Sequence, residues 1–187
     1  MRRHINTIWL VLVVISLSLF VIFPDWLTRE TISTFLDQMG MMALVVYVLV
    51  SLTRSLLLIP STPFILAGSI SFPELTLLVF AISMAGIVVG AYLVYSFPSF
   101  GGYDKLLEEK YPDKIALLKQ KMHSKYAFGF VVGWSFFPLV PTDAVCYVAG
   151  LAKMSYRKMI SALLIGELPL VAAYVFLGAE IGEWLRL

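Results

Sequence analysis

Long stretches without a charged residue decide what this chain can fold into. Residues 5–23 and 75–100 contain no Asp, Glu, Lys or Arg, and each matches the roughly 20 residues that a helix needs to cross a bilayer. Charged residues make up only 14% of the chain, whereas soluble domains contain about a quarter. Because so few polar groups cannot cover a water-facing surface, the composition predicts an all-α integral membrane protein.

The N-terminal 38 residues resemble a signal peptide at first sight. Arg2 and Arg3 precede the first apolar run, but no small-x-small cleavage motif follows it. We therefore expect an uncleaved membrane helix, with Trp9 and Trp26 near its ends as interfacial aromatics. Residues 28–38 follow with the spacing of a short amphipathic helix on the membrane surface.

Two later apolar blocks are interrupted by paired prolines. The first contains Pro60-Ser61-Thr62-Pro63, and the second contains Pro138-Leu139-Val140-Pro141. Proline removes a backbone donor and breaks a helix, and the return limb of each block is too short to span. Each block is therefore predicted to be a re-entrant hairpin that enters and leaves the membrane on one side, with protein or water around its tip.

The whole chain then divides into three parts, with the membrane domain itself in five segments. Residues 1–38 form the N-terminal unit, 39–178 the membrane domain and 179–187 a short tail. The five predicted segments are hairpin 39–73, span 75–100, polar loop 104–125, hairpin 126–152 and span 159–178. In the first span, Gly86 and Gly90 would let another helix approach closely. In the loop, Pro112 is expected to separate two amphipathic helices that act as a solvated linker, or that contact lipid or a partner.

Loop charges predict the topology. Residues 25–37 carry three acids and one base, whereas residues 104–125 carry six lysines and four acids. By the positive-inside rule, the loop and the N-terminus are cytoplasmic and the C-terminus is external. The two halves then form an inverted repeat with opposed hairpins, a recurrent transporter design. Ordinary packing of six spans is the alternative.

Ionisable residues inside the apolar blocks are the candidate functional groups. Arg54, Asp143 and Glu167 each sit where a charge costs several kcal/mol unless it is paired or functional. An arginine there could hold a phosphate by a bidentate fork, and a buried carboxyl could take and release a proton. A purely structural ion pair of Arg54 with Asp143 or Glu167 is the alternative.

The hairpin tips supply the remaining candidate binding residues. Hydroxyls there could donate to a ligand or satisfy backbone carbonyls freed by the prolines. These candidate binding residues are Pro60, Ser61, Thr62, Pro63, Ser135, Pro138, Pro141 and Thr142.

Several classes of function lack support in the sequence. Cys146 is the only cysteine, and His4 and His123 lie far apart, so no metal or haem site is predicted. No catalytic motif is present, no cofactor is expected, and a net charge of +2 gives no argument for nucleic acid.

The second half resembles the DedA or VTT-domain superfamily, also called the SNARE-associated Golgi protein family. The resemblance rests on FFPLVPTD at 136–143, YVAG at 147–150 and GELP at 166–169, with IPSTP at 59–63 as a weaker first hairpin. It implies two opposed re-entrant hairpins. It also implies movement of lipids between leaflets, including undecaprenyl phosphate recycling, phospholipid scrambling and maintenance of the proton-motive force.

The chain departs from that family pattern at two positions. Ser135 stands where many members carry an arginine, and Ser61 and Thr62 stand where bacterial members often carry an acid. Arg54 and Asp143 would replace that charge pair with the polarity exchanged.

Three functions follow as hypotheses. The first is a multi-pass plasma-membrane transporter that moves a lipid or lipid phosphate between leaflets, with membrane lipids, an anionic headgroup and protons as partners. The second is a small-ion or solute antiporter on the same scaffold. The third is a non-transporting assembly protein that uses residues 104–125. Formation of a homo-oligomer is left open.

Overall fold

The computed structural model describes residues 2–100, 102–137 and 140–178. Within these ranges the chain forms ten α-helices and no strand, which confirms the all-α class. The helices are α1 (Arg2–Ile22), α2 (Arg29–Gln38), α3 (Ala43–Thr53), α4 (Thr62–Ser71), α5 (Thr76–Phe100), α6 (Tyr103–Lys110), α7 (Pro112–Met122), α8 (Ala127–Ser135), α9 (Thr142–Leu151) and α10 (Tyr156–Phe176).

Three helical segments among the described residues are long and apolar enough to cross a membrane. They are Gly40–Leu57, Pro73–Phe100 and Tyr156–Phe176. The latter two confirm the predicted spans, although α10 begins three residues earlier than expected and α5 continues through Pro98. Pro98 lies two residues before the end of α5, so it removes one backbone bond without ending the helix.

Helix α2 packs differently from the surface helix expected at residues 28–38. The Thr28 hydroxyl accepts a hydrogen bond from the Thr31 backbone N–H at 3.2 Å and so caps the helix start. Ile32 and Leu36 are buried, and α2 packs on α4. Its apolar face is therefore covered by protein as well as by any membrane surface.

Both proline pairs interrupt helices, as predicted. After α3, a 3-10 turn over Arg54–Leu57 ends at Leu58, which adopts a left-handed conformation with φ of 55°. Helix α4 then restarts at Thr62, and after α8 the chain resumes helix at Thr142. The re-entrant course of both hairpins remains a prediction, and Gly40–Leu57 alone suffices to span a membrane.

Helix packing repeats between the two halves. The first limb of each hairpin, α3 or α8, packs on the long helix of its own half, α5 or α10. The second limb, α4 or α9, packs also on the long helix of the other half. The same sequence offset relates Thr62 to Thr142 and Gly86 to Gly166. Packing of α4 and α9 on the long helix of the other half is expected of a repeat. The inverted orientation of the two halves in a membrane stays a prediction.

Close helix approach at the small residues is confirmed. A Cβ at Gly86 would lie 2.5 Å from the Ser51 carbonyl oxygen, and one at Gly90 would overlap the Ser55 hydroxyl. In the second half, a Cβ at Gly166 would lie 2.6 Å from the Val132 carbonyl oxygen. Glycine therefore sets the distance between the first limb and the long helix in each half.

The polar loop forms two helices that meet at Pro112, as predicted. It is more than a solvated linker, because Ile115 and Met122 are buried and Met122 belongs to the main hydrophobic core. Buried Asp104 lies 3.5 Å from the Lys153 ammonium, which joins the start of α6 to the turn after α9.

Candidate functional site

Arg54 and Asp143 come together between the two hairpins. Arg54 lies in the 3-10 turn after α3 and Asp143 in the first turn of α9, and Arg54 Nη1 is 3.6 Å from Asp143 Oδ2. Their side chains are only 5% and 8% exposed. The predicted proximity is confirmed, and the distance indicates an ion pair rather than a hydrogen bond.

Backbone carbonyls freed by the broken helices are bound by residues that the sequence did not suggest. Arg54 Nη1 donates to the Ile59 carbonyl at 2.8 Å. The indole of Trp9 donates to Leu56 at 2.6 Å, and that of Trp134 donates to Pro141 at 3.3 Å.

These bonds correct the expectation that tip hydroxyls would take this role. An arginine and two indoles reach the carbonyls instead: Arg54 lies in the first break itself, Trp134 in the helix that ends at the second break, and Trp9 in a separate helix. The Trp9 ring also packs against Phe97 and Tyr147, with the Phe97 ring centre 4.2 Å away. Trp9 is therefore a packing residue of the hairpin, in addition to any interfacial role.

A small polar cavity lies where the two tips meet. Its volume is about 10 Å³, the space needed for about one water molecule. Both tips and α10 contribute to its wall. The lining residues are Pro60, Ser61, Thr62, Ser135, Phe137, Val140, Pro141, Thr142, Glu167, Leu170 and Tyr174.

Most of the predicted tip residues therefore share one cavity, although their roles in binding remain predictions. Pro63 is at the second position of α4 and does not line the cavity. Pro138 lies outside the described residues, as does the tail 179–187.

Glu167 lines this cavity from the interior of α10 and is 4% exposed. It forms no salt bridge with any described residue, whereas Arg54 pairs with Asp143. The alternative pairing of Arg54 with Glu167 is therefore wrong for this structure. Glu167 faces the tips because it follows Gly166, the residue that presses α10 against α8.

Three buried hydroxyls have no hydrogen-bond partner within the described part of the chain. They belong to Ser55, Ser135 and Tyr174. Ser135 and Tyr174 line the cavity, whereas Ser55 packs against Gly90 outside it. Tyr174 was missed by the sequence reasoning. Its position two helical turns after Glu167, on the same face of α10, is the signal that would have found it.

An apolar groove runs along α1 on the other side of the ion pair. It measures about 660 Å³ and is lined by Trp9, Leu12, Leu57 and Phe97, and Arg54 is the one charged residue among the described residues of its wall. Leu12 and Leu57 also line a second groove of about 390 Å³ that continues toward Phe23 and Trp26. Together they form a long apolar channel that reaches a guanidinium, which we call the α1 groove.

Comparison with known proteins identifies one family. The VTT domain matches residues 59–180, which cover both proline tips, the cavity and the two long helices. No curated protein and no solved structure matches the chain. Among the described residues, no three His, Cys, Asp or Glu side chains are grouped as metal ligands.

Proposed function

Because the chain belongs to the VTT-domain family of DedA-type membrane proteins, we propose that it moves a lipid or lipid phosphate between membrane leaflets. The observation that carries this proposal is the α1 groove, an apolar channel with one arginine in its wall. An acyl or isoprenoid chain fits apolar walls, and an anionic headgroup is drawn to a guanidinium.

Because Arg54 is buried, its positive charge relies on Asp143 for compensation. In the present arrangement the guanidinium is compensated by one carboxylate and one backbone carbonyl. A headgroup phosphate offers several strong acceptor oxygens, so it would compete with Asp143 for the same guanidinium nitrogens. Exchange of one anionic partner for another avoids leaving a buried cation unpaired.

Leaflet exchange in liposomes tests the proposal. Purified protein is reconstituted with a fluorescent phospholipid or a short-chain prenyl phosphate in one leaflet, and its transfer is followed over time. Leu12→Trp fills the α1 groove and should slow the exchange strongly, whereas Leu77→Trp, at a site 74% exposed on α5, should not. Equal rates in wild type, Leu12→Trp and Arg54→Ala would overturn the assignment of this path.

The polar tip cavity supports the second candidate, a small-ion antiporter. Its space of about 10 Å³ suits a water or a bare ion. Flux of a dissolved ion through liposomes without any lipid exchange would favour this function. The α1 groove would then have no role, and Leu12→Trp should leave ion flux unchanged.

The proposed orientation has the N-terminus and residues 104–125 in the cytoplasm of a plasma membrane and the C-terminus outside. The native cysteine, Cys146, is buried, so a single added cysteine can be labelled selectively. In intact cells, a membrane-impermeant maleimide should label Glu74→Cys and not Glu108→Cys. The reverse pattern would refute the orientation.

A further inference from the structure

Two helices point their N-termini at the tip cavity, and neither has a side-chain cap. Helix α4 follows Ser61 and helix α9 follows Pro141, and neither residue bonds a backbone N–H with its side chain. The first N–H groups of a helix lack partners within the helix. Each helix start carries about half a positive charge, so both favour an acceptor in the space between them.

Hydroxyl donors converge on the same space. Ser135 is 0% exposed and Tyr174 is 3% exposed, and both hydroxyls line the cavity without a partner among the described residues. Buried polar groups without partners are rare in native structures and call for an explanation. With Thr62 and Thr142 in the wall, the cavity offers donors from four different helices.

We propose that the tip cavity is an oxyanion-binding site whose occupancy Glu167 controls. An ionised Glu167 repels a second anion from the converging donors, although the Ser135 and Tyr174 hydroxyls have no partner among the described residues. A Glu167 that has taken a proton from water at the tips is neutral, so the site can accept an oxyanion such as a phosphate group. Release of the anion and of the proton returns the site to its first state.

The charges around the cavity support control of anion binding by the protonation of Glu167. The two helix starts contribute about one positive charge together, which an ionised Glu167 cancels. Arg54 and Asp143 cancel each other. The remaining titratable groups that face Glu167 are Cys146 on α9 and Tyr174 on α10, and both are neutral as thiol and phenol. Neutral Glu167 therefore leaves the site with about one uncompensated positive charge.

The cavity admits only part of an anion. Its space of about 10 Å³ accepts a single oxygen atom, so a bound tetrahedral oxyanion places one of its oxygens there. The site is distinct from the α1 groove, because Arg54 lines that groove and not the cavity. The identity of the anion as a lipid headgroup rests on the proposed function, whereas the site itself does not.

Binding of inorganic sulfate to the full chain in detergent tests the role of Glu167. Sulfate stays ionised between pH 5 and pH 9, so only the protein titrates. We expect wild type to bind sulfate more tightly as the pH falls, and Glu167→Gln to bind it tightly at every pH. At pH 8 the variant should bind about tenfold tighter or more, since a like charge is removed. Glu108→Gln, exposed on α6, should behave as wild type.

Ser135→Ala tests the donor set. We expect sulfate binding to weaken about tenfold, as for loss of a hydrogen bond to a charged group. Without sulfate, the thermal midpoint should stay the same or rise, because an unpaired buried hydroxyl is removed. Ser55→Ala is the matched control: it also removes a buried unpaired hydroxyl, but one outside the cavity, and should leave sulfate binding unchanged.

The remaining outcomes separate this site from the transport proposal. Sulfate binding without leaflet exchange keeps the site and refutes the proposed function. Binding of a short-chain lipid phosphate but not of sulfate or inorganic phosphate, with the same Glu167→Gln and Ser135→Ala responses, identifies the headgroup as the anion. Glu167→Gln binding no tighter than wild type, or sodium binding that this variant abolishes, overturns the oxyanion site.

Discussion

Removing one partner of the buried ion pair should destabilise the protein far more than removing both. At 3.6 Å and an effective dielectric constant of about 20, the attraction between the two charges is about 5 kcal/mol. Breaking a buried pair typically costs about 3–5 kcal/mol, because it leaves an uncompensated charge. We therefore expect Arg54→Met to lower the free energy of unfolding by about 3–5 kcal/mol.

Removing the acid of the pair should destabilise the protein less than removing the arginine. Asp143→Leu leaves the guanidinium with its bond to the Ile59 carbonyl and with Glu167 as a second nearby acid, so we expect a loss of about 2 kcal/mol. The double variant replaces both charges by apolar side chains of similar volume, a change that is often neutral or stabilising. It should therefore be more stable than Arg54→Met alone.

A double-mutant cycle measures this coupling. Unfolding of the four proteins in micelles by added sodium dodecyl sulfate gives the free energies, and independent sites add to within about 0.5 kcal/mol. An additive cycle would refute the reasoning. The double variant also bears on function, since we expect it to fold without the guanidinium. Leaflet exchange at the wild-type rate would then make the pair purely structural.

Two further outcomes follow from packing. Gly86→Ala should destabilise the fold by about 1–3 kcal/mol because its Cβ would meet a backbone oxygen at 2.5 Å. The Cβ of Gly129→Ala would meet nothing within 4 Å, so this variant should gain about 0.5–1 kcal/mol of stability. Thermal unfolding in detergent compares the two variants, and equal effects would contradict the close helix approach at Gly86. Trp9→Phe should cost about 1–3 kcal/mol because the Leu56 carbonyl loses its donor. Trp26→Phe, 60% exposed, should cost little, and a larger loss there than for Trp9 would argue against the predicted role of the bond.

The sequence was sufficient where a single local rule applied. Uncharged runs of about 20 residues predicted helices α1 and α5, and the proline pairs predicted the helix breaks. The contact between Arg54 and Asp143 was predictable because a charge in an apolar block must find a partner, and opposed tips bring these two together.

The sequence could not give the carbonyl bonds of the tips. Trp9 reaches Leu56 from a different helix, so the bond depends on how α1 lies against the 3-10 turn. Trp134 reaches Pro141 across the break itself, whose shape depends on residues on both sides. The sequence predicted hydroxyls near the prolines for this role, whereas the donors are a guanidinium and an indole close to each break and one indole from a distant helix.

Sequence alone determined that this chain is a helical membrane protein whose helices break at two proline pairs and whose apolar blocks hold three ionisable residues, because hydropathy and proline act along short stretches of chain. Only the tertiary structure decided which acid pairs with Arg54 and that Glu167 shares a cavity with Ser135 and Tyr174. Those relations depend on the rotation and separation of packed helices, which the contact of Gly166 with the α8 backbone sets and which no local pattern encodes.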